Sequence, residues 1–237
     1  MSIHAGPKVV ADSVSFSVDA SHAVSYAKTG TTIVNTANMT STSLAGGFTY
    51  TSDNGGIFNF NGSTGYGDTG IDLSWNNTNS ATVMFVCKTG NVSQNAQIVG
   101  KGTDWEWGFR QGQQAASDGS LTFIYWDTSG GSTNGPIMTV SNVFALNTWV
   151  HICGVWSHSA NTMTLYVNGK SAKANSWTNA SINSNKTNTV KFGGSGYGWG
   201  GTGYWNGAIA SLKLFNRALT VDEVHQSFIA VRGRFGI

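Results

Sequence analysis

The chain has 237 residues, of which 40% are hydrophobic and 12% aromatic, so it is long and apolar enough to fold around a core. Only 10% of its residues are charged and the net charge is +2, which excludes the dense positive surface that holds nucleic acid. No apolar stretch approaches the roughly 18 residues of a membrane span, and residues 1–10 lack a basic start followed by an apolar core. We therefore expect neither a nucleic-acid partner nor a membrane partner.

Alternating polar and apolar residues predict strands along most of the chain. In the first, Ser13 to Asp19, the side chains of Val14, Phe16 and Val18 fall on one buried face. Similar strands are predicted at 58–60, 81–88, 121–126, 149–156, 163–167, 190–192 and 208–215. Turn clusters lie between them at 52–56, 117–120, 129–132 and 157–161. The spacing is typical of an antiparallel sandwich or barrel, and the lack of a linker predicts a single domain over residues 1–237.

The clearest hairpin joins 149–156 to 162–167 and is followed by Asn168-Gly169. Because Asn-Gly accepts the positive φ angles of a tight turn, Lys170 should begin another short strand.

One helix is predicted near the C-terminus. Thr220 and Glu223 have the spacing of a capping box, and an apolar face follows at Val221, Val224, Phe228 and Val231. Gly233 is a natural stop, so we expect about ten residues of helix lying against the sandwich.

Each cysteine lies in an apolar strand, Cys87 in Val83–Cys87 and Cys153 in Trp149–Cys153. This placement favours two buried free thiols over a disulfide, although sequence alone leaves the pairing open.

Several segments together resemble the laminin-G-like, concanavalin-A-like jelly-roll family, which includes the pentraxins and many lectin modules. They are Trp149-Val150-His151, Leu165 to Lys170, Val190 to Gly194, Asn206 to Ala210 and Leu214 to Thr220. The resemblance implies two packed antiparallel sheets, in agreement with the periodicity above. The expected fold is therefore an all-β, concanavalin-A-like sandwich with one short C-terminal helix.

The two ends of the chain are similar to laminin-G-like proteins of marine and cyanobacterial tailed bacteriophages. The matching segments are Gly6 to Asp12, Val18 to Ala20 and Arg232 to Ile237. This resemblance implies a non-enzymatic virion surface protein that decorates the head or tail, contacts other virion subunits and binds host or environmental glycans. By analogy it also implies a homo-oligomer. The alternative is a free lectin or glycoside hydrolase of the same fold.

The chain's last residues combine cations with apolar side chains, namely Arg232, Arg234, Phe235 and Ile237. Such a tail suits docking on another virion subunit, and it equally suits packing on its own sandwich.

Hydrolysis of a glycosidic bond requires two carboxylates about 5 to 10 Å apart across a cleft. Only Asp104-Trp105-Glu106-Trp107 places two acids at strand spacing beside aromatic residues, and the chain lacks the Glu-x-Asp-x-x-Glu pattern of laminarinase-type enzymes in this fold. We expect no catalytic residues, and the acid pair then faces solvent.

Calcium is the one cofactor that the resemblance makes worth testing, because such modules bind it through loop oxygens. The candidate ligands are Asp68 and Asp72, with Asp53 and Asn54 as a second pair. The alternative is that these side chains cap turns with no ion bound.

Exposed aromatic rings that stack on sugars are the expected means of carbohydrate binding. Two groups of residues are candidates: Trp105, Trp107 and Arg110, and the glycine-framed Tyr197, Trp199, Tyr204 and Trp205. Packing within the core or within loops is the alternative for all of them.

Overall fold

The computed structural model describes residues 10–73, 79–101, 106–113, 116–125, 137–176, 188–194 and 203–237. These residues form sixteen strands, a short 3₁₀ turn at Asp53–Gly55 and one α-helix, α1 (Val221–Phe235). The strands are β1 (Val14–Asp19), β2 (Thr32–Asn35), β3 (Thr40–Ala45), β4 (Phe48–Thr51), β5 (Ile57–Asn61), β6 (Tyr66–Asp68), β7 (Ala81–Thr89), β8 (Ala96–Lys101), β9 (Trp107–Gln113), β10 (Ala116–Tyr125), β11 (Ile137–Val140), β12 (Trp149–Ser157), β13 (Thr162–Val167), β14 (Lys170–Ser176), β15 (Val190–Phe192) and β16 (Asn206–Phe215).

The strands make two antiparallel sheets that pack face to face. The first has the order β14-β13-β12-β7-β16-β5-β4, with β1 paired to the rest of β16, and the second has the order β11-β10-β9-β8-β15-β6-β3-β2. Phe85 of the first sheet meets Phe109 of the second edge to face, with ring centroids 5.5 Å apart. The predicted sandwich class is confirmed, and in the described parts of the chain no helix is long and apolar enough to cross a bilayer.

Local sequence signals placed the hairpin correctly. The strands β12 and β13 pair from Ile152↔Val167 to Ser157↔Thr162, and β14 begins at Lys170 as predicted. The turn residues Asn168 and Gly169 have φ of 48° and 72°, the left-handed values that Asn-Gly accepts.

The helix begins where the capping box predicted, but it is longer than expected. Both hydrogen bonds of the box between Thr220 and Glu223 are present, and α1 runs 15 residues to Phe235, with Gly236 in the left-handed conformation after it. Gly233 does not stop the helix. A glycine inside a helix costs only about 1 kcal/mol, and burial of the Phe235 ring outweighs that cost.

Strands with few apolar residues escaped prediction. The segments of β2, β3 and β4 are short and rich in threonine, serine and asparagine, and β8 and β9 carry glutamine, lysine and arginine. The predicted turn at 117–120 lies inside β10, where the register shifts between Ala116 and Leu121. These segments are strands because neighbouring strands hydrogen-bond to them, and their own sequence carries little of that information.

Cys87 and Cys153 are both buried free thiols. Cys87 belongs to the core between the sheets, whereas Cys153 packs in a separate apolar cluster with Phe215 and Val224 of α1. Burial raises the pKa of both thiols well above the ordinary value.

Candidate functional site

The two predicted sugar-stacking tryptophans that the structure describes lie in the core. Trp107 and Trp205 are each 0% exposed, and each indole nitrogen donates internally, to the Leu73 carbonyl at 2.8 Å and to Oε1 of Gln111 at 3.0 Å. Their expected exposure is therefore corrected, because both rings pack in the hydrophobic core between the sheets. Neither ring offers a face to a ligand in solution.

Of the other predicted aromatic residues, Tyr204 is the one in the part of the chain that the structure describes. Trp105, Tyr197 and Trp199 lie outside the described residues, and Tyr204 is half-buried in a bridge to Gly194.

Arg110 is 1% exposed on the second sheet, where its guanidinium donates to Oδ1 of Asn95. Burial lowers the Arg110 pKa to about 10. Arg110 is thus held inside the protein.

Of the predicted acid pair, Glu106 does not face solvent. The Glu106 carboxylate is fully buried, 2.5 Å from Nζ of Lys101, and the same ammonium contacts the carboxylate of Asp72. Asp104 lies outside the described residues. Glu106 therefore contacts Lys101 inside the protein and presents no carboxylate to a ligand in solution.

The candidate calcium ligands make contacts within the protein. Asp72 contacts the Lys101 ammonium, and Oδ1 of Asp68 accepts from the Gly70 amide at 2.9 Å. Oδ1 of Asn54 accepts from the Trp149 indole, and Asp53 accepts from the Thr51 hydroxyl. Among the described residues, no group of three or more His, Cys, Asp and Glu side chains comes together to hold a metal.

The C-terminal residues pack on their own sandwich. Nη1 of Arg234 donates to both carboxylate oxygens of Asp19, at 2.8 and 2.9 Å, and Nη2 donates to the Gly56 carbonyl. Phe235 is buried, with its ring 4.7 Å from that of Trp149, and Ile237 packs in the same cluster. Of the four predicted docking residues, only Arg232 is exposed.

A polar pocket of about 160 Å³ lies on the outer face of the first sheet. Its floor follows a row across three strands, because Asn59 of β5 is opposite Ala208 of β16 and Ala208 is opposite Lys88 of β7. Beyond the pocket the row continues to Trp149 of β12, which is opposite Lys88. The Lys88 ammonium sits over the Trp149 ring, 5.1 Å from its centroid. The row combines an amide, an ammonium and an aromatic ring.

Amides from two loops complete the rim of this pocket. Asn206 is the first residue of β16, and Asn147 precedes β12 with a φ of 56° and its backbone amide bonded to the Thr89 carbonyl. Both asparagines are exposed. Amide side chains donate and accept hydrogen bonds, as sugar hydroxyls do, so the pocket suits a neutral or acidic sugar.

Sequence reasoning missed this pocket. In a chain rich in Ser, Thr and Asn, single asparagines carry no distinguishing pattern. The nearest usable signal was Trp149, which follows Asn147 by two residues, but only sheet register brings Asn59 beside Lys88.

Comparison with protein families decides the classification, because residues 60–225 match the laminin-G-type profile of the concanavalin A-like lectin/glucanases superfamily. The chain belongs to this superfamily. Its fold is therefore the lectin-like fold, as the sequence resemblance implied. Curated proteins gave no match to the chain.

Solved structures of similar fold share little sequence with this superfamily member. The binding domain of botulinum neurotoxin DC, in complex with SialylT, has a TM-score of 0.67 at 15% identity, covering 92% of this chain and 51% of that one. The binding domain of Paraclostridial mosquitocidal protein 1 has a TM-score of 0.66 at 16% identity, covering 92% and 52%. The NanB sialidase of Streptococcus pneumoniae, as a K499G mutant, has a TM-score of 0.55 at 15% identity, covering 71% and 27%. The chain thus spans about half the length of the toxin domains and about a quarter of the sialidase.

Proposed function

We propose that this protein is a non-enzymatic, glycan-binding surface protein of a bacteriophage virion, acting in head or tail decoration and adhesion. The observation that carries the glycan part is the pocket containing Asn59, Lys88, Asn147 and Asn206, on a lectin-like fold. The sequence resemblance of both chain ends to phage proteins supports the virion part.

The burial of Glu106 supports the non-enzymatic part. Asp104 and Glu106 are the only acid pair at strand spacing, and the carboxylate of Glu106 contacts the Lys101 ammonium inside the protein. A glycosidase needs both carboxylates at the sugar. The glycoside hydrolase alternative predicts measurable hydrolysis that is lost in Glu106→Gln. Hydrolysis of any glycan that the protein binds would overturn the non-enzymatic assignment.

A glycan array, probed with and without calcium, tests sugar binding. For the best glycan, titration calorimetry should show that Lys88→Met and Asn59→Ala each weaken binding by about tenfold, the effect of losing a hydrogen bond to a polar or charged group. Lys170→Met is the matched control, because Lys170 is exposed on the edge strand β14 of the same sheet. If no glycan binds, the adhesion role fails. Equal binding by all three variants would place the sugar elsewhere.

Mass spectrometry of purified particles tests the virion assignment independently. Peptides of this chain should be found in the particles, and light scattering of the pure protein should give a mass above the 25.0 kDa monomer. Peptides found only in the lysate supernatant would overturn the virion role without affecting the glycan result.

A further inference from the structure

A second cavity, of about 220 Å³, lies between α1 and the outer face of the first sheet. One water needs only about 10 to 15 Å³, so the cavity has room for a small molecule. It is separate from the pocket containing Asn59 and Lys88, since no residue lines both.

The floor of this cavity is made by neighbouring cross-strand rows. In one row Asp19 is opposite Ser211, Ser211 is opposite Val86, and Val86 is opposite His151. In the adjacent row Lys213 is opposite Met84. Because side chains two residues apart on a strand share a face, all six project to the same side of the sheet. Among them, Met84 gives the floor an apolar patch beside its polar groups.

The roof is one stripe of α1, formed by Ser227, Ala230, Val231 and Arg234 at helical spacing. The helix is held down on either side of the stripe by buried Val224 and Phe235. Small side chains between large anchors keep the helix from closing on the sheet, so the cavity follows from the sequence of α1.

His151 is the observation that points to a ligand. Its side chain is 1% exposed and lines the cavity, and neither ring nitrogen has a hydrogen-bond partner within the protein. Burial, with a smaller effect from the Lys213 ammonium, lowers the His151 pKa to about 4, so the ring is neutral at pH 7. A neutral imidazole has one N–H donor and one acceptor. Buried polar groups of this kind are normally satisfied by water or a ligand.

Charge in the cavity favours an anion. The carboxylate of Asp19 is neutralised by its ion pair with Arg234, whereas the Lys213 ammonium has neither a hydrogen bond nor an ion pair with any described residue. Burial lowers the pKa of Lys213, and attraction by the Asp19 carboxylate opposes that lowering. Counting Asp19, Arg234 and a protonated Lys213, the lining carries one net positive charge. The hydroxyls of Ser211 and Ser227 add further donors.

We propose that this cavity binds a small organic carboxylate, whose charged end pairs with Lys213 and hydrogen-bonds to His151 and whose aliphatic body lies along Met84, Val86 and Val231. The apolar wall favours a short hydrocarbon chain over inorganic phosphate. Lys213 is partly exposed and also lines a separate surface groove together with Val10 and Thr36, so this side chain borders both the cavity and the outside of the protein.

Methyl NMR on protein labelled with ¹³C-methyl methionine tests this site, with hexanoate as the probe. Met84 reports on the cavity, and Met39, which is 62% exposed, is the internal control. Hexanoate should shift the Met84 signal and leave Met39 unchanged, and hexan-1-ol and inorganic phosphate should bind at least about tenfold more weakly. Equal binding of hexanoate and hexan-1-ol would refute recognition of the charge. Binding of phosphate more strongly than hexanoate would refute the aliphatic subsite. If hexanoate does not shift the Met84 signal, the cavity holds only water and the proposal is wrong.

Variants separate this site from the glycan pocket. Lys213→Met should weaken hexanoate by about tenfold or more, because it removes the charge while keeping the chain length. Ala230→Leu should abolish binding by filling the cavity, and circular dichroism checks that the variant folds. Lys88→Met, in the glycan pocket, should leave hexanoate binding unchanged. If Lys213→Met binds as the wild type does, the proposal fails, and this result stands whether or not Ala230→Leu folds.

Discussion

Replacing Phe235 by alanine tests whether the C-terminus is anchored on its own sandwich. The ring is 7% exposed and packs against Trp149 in a cluster with Ile57 and Ala210. Buried phenylalanine to alanine changes cost about 3 to 5 kcal/mol. Because Phe235 ends its helix and the last turn can relax into the space, we expect about 3 kcal/mol. In a protein of this size that loss lowers Tm by about 6 to 12 °C.

Urea unfolding followed by tryptophan fluorescence measures this change, with a thermal melt by circular dichroism as a second measurement. The matched control is Arg232→Ala, an exposed position in the same helix, which should alter the free energy of unfolding by no more than about 0.5 kcal/mol. A loss below about 1 kcal/mol for Phe235→Ala would refute the anchoring. The tail would then again be a candidate for docking on another subunit.

Two further predictions concern the Asn-Gly turn and the start of the helix. Gly169→Ala should lower the free energy of unfolding by more than Gly30→Ala does. Both positions have positive φ, but a methyl at 169 would meet the Phe228 ring at 2.7 Å, whereas a methyl at 30 would meet no atom within 4 Å. Equal losses of stability in urea titrations would contradict this prediction. Hydrogen bonding to Arg217 lowers the Glu223 pKa from 4.5 to about 2, so its stabilising effect is complete above about pH 4.5 and is lost as the pH falls towards 2. Stability measured across that range should therefore fall more steeply in the wild type than in Glu223→Gln, and parallel curves would show that the ion pair contributes nothing.

Much of the fold could be predicted because its signals are local. The alternation in Val14–Asp19, the apolar run in Ala81–Thr89, the positive φ at Asn168-Gly169 and the capping box at Thr220 each depend on residues close together in the chain. Of the strands that escaped prediction, β8 pairs with β15, which is far away in sequence, whereas β2 pairs with the neighbouring β3. Their polar side chains lack the period-two pattern that an inward-facing strand shows.

The candidate sites divide in the same way. Trp107 lies on β9, but the sequence could not say which face its side chain takes, and Trp107, Trp205 and Glu106 are all buried. A shift of one residue in register exchanges the two faces of a strand, so exposure is decided by pairing.

The sequence by itself determined the all-β class, the hairpin, the helix start and the superfamily, since each depends on the order of residues within a short window. Only the tertiary structure decided where polar groups meet. Asn59 and Lys88 line one pocket with β16 between them, and His151 and Lys213 line one cavity on the face of the sheet that α1 covers. The first pair is 29 positions apart in the chain and the second is 62. Long-range strand pairing and helix docking bring these residues together, and no local sequence pattern predicts either of them.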